Sequence, residues 1–352
     1  MRVALDATPL VLSSGGLARY TSELSRALAE NYPGDEFALL SDQPFLMPEP
    51  HPGNLKRAGL PRNLFERKWW LWGAEREMSR QGSELFHGTN FAVPYLPRRP
   101  SVITIHDLSP WMNAEWHLDA ERVRRRTPPL VGLGIATMII TPTQAVQKQV
   151  MDFFGVTSSR VVAVPHGASE LFRPATPAAS TPYFLYAGTL EPRKNLHALV
   201  EAWRSVHRRH GVDLVLAGRR RADFAELPAE AGLHILGEVG DHDLPRLYSG
   251  ALAAVYPSRY EGFGLPVLEA MQCGACVLIS NDAALGEVAG EAGVCLDGNP
   301  AWAEAMCAAA TQPMWLNEQR AKSLARAREF SWNTTAQRTR DVYVEAKRRF
   351  EA

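Results

Sequence analysis

Short apolar runs alternate with stretches of helical periodicity from one end of the chain to the other, and the alternation is played twice. A strand followed by a helix, repeated, is the pattern of a parallel sheet covered by helices on both faces. The first set of runs is Arg2–Ala7, Glu36–Ser41, Glu84–His87, Ser101–Asp107, Met138–Thr141 and Arg160–Val164. The second is Tyr183–Ala187, Asp213–Ala217, Leu233–Leu236, Ala253–Tyr256, Val277–Ser280 and Val294–Leu296. Between them lie helices such as Leu17–Asn31, with Leu17, Leu24 and Leu28 on one stripe, and Leu196–His210, with Leu199, Trp203 and Val206 on another. Thr143–Phe154 opens on a capping threonine and stops at Gly155. The proline-rich stretch Pro165–Pro182 has no periodicity and reads as the linker. The expectation is an α/β protein of two Rossmann-like domains, residues 1–170 and 171–331.

Composition supports this and narrows the function. At about 150 residues per domain, 352 residues make two. The chain is 46% apolar and 22% charged, with 38 basic against 38 acidic residues, which excludes disorder and a global electrostatic hold on nucleic acid. Four cysteines, all in the last third, form no disulfide framework and suit a reducing compartment. The least polar stretch, Leu130–Ile140, is too short for the ~20 residues of a membrane span. Met1-Arg2 leads into Asp6 with no room for a signal peptide, so a cytoplasmic location is expected, and the Asn333-Thr-Thr glycosylation match has no consequence.

Chemistry concentrates in a few segments. Glu261-Gly-Phe-Gly-Leu-Pro-Val-Leu-Glu269 follows a strand and opens a helix with Pro266 near its start. Gly262 and Gly264 allow close backbone approach, and the helix start offers amides to an anion. Glu261 and Glu269 either address two ends of a phosphate-bearing ligand, or are a loop residue and a complement to the helix dipole in its first turn. Gly188-Thr-Leu-Glu-Pro-Arg-Lys-Asn195 is also at a strand's C-terminal end, the ligand-binding edge of open α/β sheets. Arg193 and Lys194 there are two cations for a diphosphate, or an exposed basic loop. Gly15-Gly16 precedes a helix and is a phosphate approach or a plain turn. His106 emerges at a strand end, to meet a sugar hydroxyl or to cap the strand with Asp107.

Taken together, EGFGLPVLEAMQCG, GTLEPRKN, GGLARY and TIHDLSP resemble the retaining glycosyltransferases of the large family that contains bacterial mannosyltransferases and glycogen synthase-like enzymes. The resemblance runs from Val3 to the helix around Trp332. It implies the GT-B fold, two Rossmann-like domains facing each other across a cleft, the first (1–170) for the acceptor and the second (171–331) for the nucleotide-sugar donor, with the last helix, about 332–352, crossing back to the first domain. It implies that Glu261 faces the donor sugar and Glu269 holds the ribose. Arg193 and Lys194 would neutralise the diphosphate, while the amides of Phe263, Gly264 and Leu265 touch sugar and phosphate. Gly15 and Gly16 correspond to the N-terminal glycine loop, Gly188 to the strand-end glycine, and His106 to the histidine on the transferred sugar. The implied partners are a nucleotide-diphosphosugar donor, GDP-mannose by the form of the GTLEPRKN loop, and a saccharide or lipid-linked acceptor. No cofactor or metal is implied.

Two departures stand out. Thr189 replaces an arginine common in relatives, so the phosphate clamp rests on Arg193 and Lys194. Cys276 replaces a proline and creates Cys273-Gly-Ala-Cys276, read as structural because Cys295 and Cys307 lack metal-site spacing. Asp241-His-Asp243 resembles a metal-binding D-x-D, but Asp243 more simply caps a helix Leu244–Ala251. Trp69-Trp-Leu-Trp72, read as helical with Arg62, Arg67, Lys68 and Arg76, is either core or a weak peripheral contact with an anionic membrane. The rivals are a UDP-sugar donor for the same reaction, a nonenzymatic sugar-nucleotide-binding protein, an epimerase and a phosphorylase. A phosphorylase would need a pyridoxal lysine and a longer chain.

Overall fold

The computed structural model describes residues 1–12, 15–117, 120–177 and 181–352. Two compact units result, one of Met1–Gly167 with Ser331–Ala352, the other of Ala168–Phe330.

In the first unit the strands are β1 (Arg2–Asp6), β2 (Glu36–Leu40), β3 (Leu55–Arg57), β4 (Leu85–Gly88), β5 (Ser101–Thr104), β6 (Met138–Thr141) and β7 (Val161–Ala163). They form one sheet in the order β3-β2-β1-β4-β5-β6-β7, every pair parallel. Helices α1 (Gly16–Asn31), α2 (Ala74–Gln81), α3 (Ser109–Met112), α4 (Glu121–Gly132) and α5 (Gln144–Phe154) cover its faces. Such a sheet is buried on both sides, which is why β4, β5 and β6 are buried at every position. Thr143 caps α5 by accepting from the Val146 amide at 3.2 Å, and Gly155 ends it in the left-handed conformation, as the sequence indicates. β3 has no sequence signature, because only Leu55 of its three residues is buried.

The tryptophan segment differs from expectation. Helix begins only at Trp69, as one wide turn to Gly73 before α2, and Arg62, Arg67 and Lys68 lie in the turns ahead of it. Trp69 joins the core at 5% exposure, whereas Phe65 is 45% exposed and stacks on Trp72 with centroids 5.2 Å apart. Trp69 is therefore core, Trp70 and Trp72 are half-buried, and Phe65 is exposed.

The second unit holds β8 (Tyr183–Ala187), β9 (Asp213–Ala217), β10 (Leu233–Gly237), β11 (Ala253–Tyr256), β12 (Cys276–Ser280) and β13 (Gly293–Leu296). Its order is β10-β9-β8-β11-β12-β13, again all parallel. Its helices are α6 (Leu196–His210), α7 (Leu244–Gly250), α8 (Leu265–Gln272), α9 (Ala283–Ala289), α10 (Gly298–Thr311) and α11 (Pro313–Ala327). Asp243 stands at the N-cap position and starts α7 at Leu244 as expected, although its side chain makes no capping hydrogen bond. Cys273 and Cys276 are buried at the end of α8 and the start of β12, where burial pushes both thiols up to about 12. A thiol held protonated in this way is a poor metal ligand or nucleophile.

The last helix, α12 (Trp332–Glu351), belongs to the first unit. Ser331 caps it, accepting from the Thr334 amide, and Ala336, Tyr343 and Ala346 enter the core. A buried polar chain fastens it: Tyr343 Oη bonds His87 Nδ1 at 2.7 Å, His87 Nε2 bonds Thr104 Oγ1 at 2.8 Å, and Tyr20 Oη meets Thr104 at 2.9 Å. Both His87 nitrogens are thus engaged.

Burial lowers the His87 pKa to about 3, and lowers those of His106 and His166 as well. These rings fold neutral but protonate when the chain unfolds, so below pH 6.5 the unfolded state binds more protons and stability falls as pH drops. Asp6, raised by burial to about 6, acts oppositely, disfavouring the fold as pH rises from about 4 to 6. Three histidines outweigh one aspartate. Unfolding free energy from urea titrations should fall between pH 6.5 and 4.5. His87→Gln should flatten that slope by up to about 1.4 kcal/mol per pH unit. A slope unchanged in the variant would show that His87 does not fold neutral.

Candidate functional site

Strand order reverses between β8 and β11 in the second sheet, and ligands of open α/β sheets bind at the carboxyl ends of the strands at such a point. Both motif loops start there. Gly188 leaves β8, and Gly218 leaves β9 directly behind it: a Cβ at Gly218 would lie 1.9 Å from the Gly188 carbonyl oxygen. The two loops then pair, with Leu190 N donating to Arg219 O at 2.9 Å and Arg221 N to Leu190 O at 3.0 Å. Pro192–Lys194 forms one tight turn, and Asn195, at φ 56°, passes the chain into α6. From β11, the Glu261 loop reaches α8 through Gly264 at φ 92°, where a Cβ would also strike Leu285 at 2.5 Å. Only glycine meets both demands. The amides of Gly264 and Leu265 donate to nothing among the described residues and open the helix, which makes them available to an anion.

Between the loops lies an ion cluster. Glu261 is gripped by Lys194 Nζ at 2.5 Å and Arg193 Nη1 at 3.2 Å, with all three side chains nearly buried. Burial works to raise the Glu261 pKa, but the charges of Lys194 and Arg193 prevail and hold it at about 2. It is a carboxylate at every working pH. Arg193 also donates to Glu191 through Nε at 3.1 Å and Nη2 at 2.9 Å, and to the Tyr260 carbonyl through Nη1 at 2.9 Å. Glu191 in turn accepts from Arg221 Nη1 at 3.0 Å, and Arg221 pairs with Asp223 at 2.5 Å.

The motif residues therefore differ from one another more than their spacing suggests. Arg193 spends its fork on two carboxylates and a carbonyl, so it braces the loops. Lys194 makes one bond among the described residues and keeps two donors for a ligand. Glu269 is buried in the second turn of α8 and not in the first, which removes the reading of it as a dipole complement. Phe263 is 5% exposed, its ring edge on Phe330. Glu191, Arg221 and Asp282 belong to the cluster and have no sequence signature. The Arg221 contact depends on the pairing of two loops 30 residues apart, and Asp282 receives the Glu261 amide at 3.2 Å while capping α9.

The remaining expected residues lie in the first unit. Gly15, at φ 111°, and Gly16 start α1 after β1. His106 follows β5 and donates from Nε2 to the Thr89 carbonyl at 2.8 Å. Burial keeps the ring neutral, so Nδ1 is its acceptor. Its ring meets Tyr20 edge-on at 4.8 Å. The strand-capping reading fails, since the Asp107 carboxylate accepts from Ser109 N and Oγ. Among the described residues no group of three or more His, Cys, Asp and Glu could hold a metal, and no helix is long and apolar enough to cross a membrane.

This architecture, two parallel sheets each with loops gathered at a reversal point, is that of the GT-B glycosyltransferases. Residues 169–329 match the family described as glycosyl transferases group 1, and residues 14–170 match glycosyltransferase family 4. The chain belongs to this glycosyltransferase family. It is 31% identical to the O-antigen chain mannosyltransferase B of Escherichia coli over 97% of this chain and 99% of that one. It is 28% identical to the glycogen synthase of Mycobacterium tuberculosis over 71% of this chain and 64% of that protein. Among solved structures, sucrose-phosphate synthase from Thermosynechococcus elongatus superposes with a TM-score of 0.76 at 20% identity, covering 98% of both chains. Anabaena HepE in complex with UDP and glucose gives 0.71 at 17% identity over 98% of this chain and all of the other.

The brace is testable without substrate. Glu191→Gln keeps the size but loses the charge that holds Arg193 and Arg221, so it should lower the unfolding free energy by roughly 1–3 kcal/mol. Chemical denaturation reads this directly, and wild-type stability would show that Glu191 is a bystander.

Proposed function

We propose that the protein is a retaining, metal-independent α-glycosyltransferase that moves mannose from GDP-mannose to a glycan or lipid-linked saccharide in polysaccharide assembly. The supporting observation is the Glu261–Lys194–Arg193 cluster at the β8/β11 reversal point, in a chain similar over its length to an O-antigen chain mannosyltransferase. In this reading Glu261, fixed as a carboxylate, accepts hydrogen bonds from the donor sugar's hydroxyls. Glu269 holds the ribose. Lys194, with the amides of Phe263, Gly264 and Leu265, faces the diphosphate oxygens, and Arg193 braces Lys194 and Glu261 from behind. Gly15 and Gly16 let α1 approach the diphosphate, Gly188 keeps its loop clear of it, and neutral His106 offers Nδ1 to a hydroxyl of the transferred sugar.

Negative charge grows on the leaving phosphate as the glycosidic bond breaks, and a lysine beside the helix start stabilises it as a divalent ion would. No side chain of the cluster is free to act as a nucleophile: Glu261 is committed to two cations. Attack on the same face, with the leaving phosphate taking the acceptor's proton, keeps the configuration. A peripheral cytoplasmic-face enzyme is the setting we propose, with the surface arginines ahead of Trp69 toward anionic lipid. A second reading, a UDP-sugar donor, has the support of structural neighbours solved with UDP and UDP-glucose.

Labelled GDP-mannose and UDP-glucose offered with a soluble mannoside acceptor decide between them. Transfer from GDP-mannose alone, without detergent, with an α-linked product by NMR and full activity in EDTA, is the expected result. Transfer from UDP-glucose alone rejects mannose, and revival of an EDTA-inhibited enzyme by manganese rejects metal independence.

The clamp and the ribose contact separate kinetically. Lys194→Ala should lower kcat by about 10²–10³ with a smaller change in donor affinity, since the lysine acts on charge that develops in the transition state. Glu269→Gln should instead weaken donor binding by roughly 1.5–3 kcal/mol, the value of a charge-assisted hydrogen bond. Unchanged GDP-mannose affinity in Glu269→Gln would remove that residue from the site.

A further inference from the structure

The ion cluster continues past the two motif loops, and its far end is Arg221, three residues beyond Gly218 on the loop that leaves β9. Backbone pairing fixes where that residue stands, since Arg221 N donates to the Leu190 carbonyl at 3.0 Å. Phe224, 5% exposed, anchors the same loop in the core. From this fixed position Arg221 Nη1 reaches Glu191 Oε2 at 3.0 Å, while its Nε and Nη2 hold Asp223 at 2.5 and 2.8 Å.

Glu191 is divided between two arginines. Its Oε1 accepts from Arg193 Nε and Nη2, and its Oε2 from Arg221. Drawn by one oxygen of Glu191 alone, Arg193 keeps Nη1 on Glu261 Oε2 and the Tyr260 carbonyl, and Glu261 Oε1 is left to Lys194. Charge alternates along the whole line, Asp223, Arg221, Glu191, Arg193, Glu261, Lys194, and sums to zero. Without Arg221, two cations would face three carboxylates, among side chains buried enough to be poorly screened by solvent. Glu191 also begins the turn that carries Lys194, whose amide donates to the Glu191 carbonyl at 3.0 Å. An unbalanced Glu191 would compete with Glu261 for Arg193, and its field would oppose a diphosphate at Lys194.

We propose that Arg221 is a positioning residue for the transfer reaction: by balancing the charge of Glu191 it keeps Arg193 on Glu261 and leaves the Lys194 ammonium to the donor's leaving phosphate. It acts through Glu191 and touches no substrate. The proposal rests on the donor reading of Lys194, and it gives the loop after β9 a task in turnover that neither motif contains.

A charge-removal cycle tests it, with kcat and KM measured for transfer from GDP-mannose or UDP-glucose, whichever the wild-type enzyme uses. Arg221→Met should lower kcat by about ten-fold, as small displacements of reacting groups do, with a smaller change in KM. Arg221→Gln makes the same charge change and should behave alike, whereas Arg221→Lys should retain most of the turnover. Arg221→Met combined with Glu191→Gln removes one charge of each sign, and this double variant should turn over several-fold faster than Arg221→Met alone. Two independent structural losses would add instead. Wild-type kcat in Arg221→Met, or a double variant slower than either single one, overturns the proposal. A loss that falls on KM and is not rescued by Glu191→Gln marks a direct substrate contact and overturns it as well. Lys194→Ala is the control for the donor reading: unchanged kcat there counts against that reading, whatever Arg221 does. A substrate-free measurement decides the charge argument separately. Labelling of the Lys194 amine by trinitrobenzenesulfonate, followed by peptide mass spectrometry, should slow several-fold in Arg221→Met, because the anionic reagent meets an unbalanced carboxylate, and recover in the double variant. Equal labelling rates in the three proteins would show that Arg221 does not act on Lys194.

Discussion

The second unit is organised around one electrostatic fact: Glu261, nearly buried, stays ionised because Lys194 and Arg193 touch it. A buried charge is tolerated only when paired and hydrogen-bonded. Meeting that condition sets the position of both motif loops, since the cations come from the end of β8 and the carboxylate from the end of β11. Glu191 extends the pairing to Arg221 and the loop beyond β9. Three cations and three carboxylates thus hold three loops in one arrangement, and the helix start at Gly264 and Leu265 is fixed relative to Lys194. Preorganisation of this kind is what electrostatic catalysis needs, because donors already in place require no reorganisation as charge develops.

In the first unit the comparable constraint is a chain of neutral groups. His87 joins β4 to α12 and β5, and Tyr20 brings in α1. A network fully satisfied at both His87 nitrogens specifies one seating of the last helix, where apolar contacts alone would allow several. The reversal point beside it is the opposite case. There Arg126 and Asn90 are half-buried, with one buried polar atom of each, Arg126 Nε and Asn90 Oδ1, left unmet.

Arginine and lysine in adjacent positions show how a motif can mislead. Read along the chain, Arg193 and Lys194 are two equal cations. Folded, the planar fork of Arg193 is used up by Glu191, Glu261 and the Tyr260 carbonyl, while the Lys194 ammonium keeps donors to spare. The difference follows from the geometry of the two head groups, but which partners stand near them is not written in the motif. Glu269 makes the same point: eight residues after Glu261 in sequence, it is placed by the start of α8 at Leu265 in the buried second turn.

The sequence by itself determined the alternation of strands and helices, the two sheets, the caps at Thr143 and Gly155, and the loops that carry Gly188, Arg193, Lys194, Glu261 and Gly264. These follow from periodicity and from local backbone demands, which act over a few residues and leave their mark on residue type. Tertiary structure alone decided β3, whose short edge strand has one buried residue. It also decided the delayed helix start at Trp69 and the absence of a side-chain capping bond from Asp243. Glu191–Arg221 and His87–Tyr343 are of the same kind, each a contact between residues 30 or more apart along the chain. Such pairs are selected by the order in which strands join a sheet, and no local propensity encodes that order.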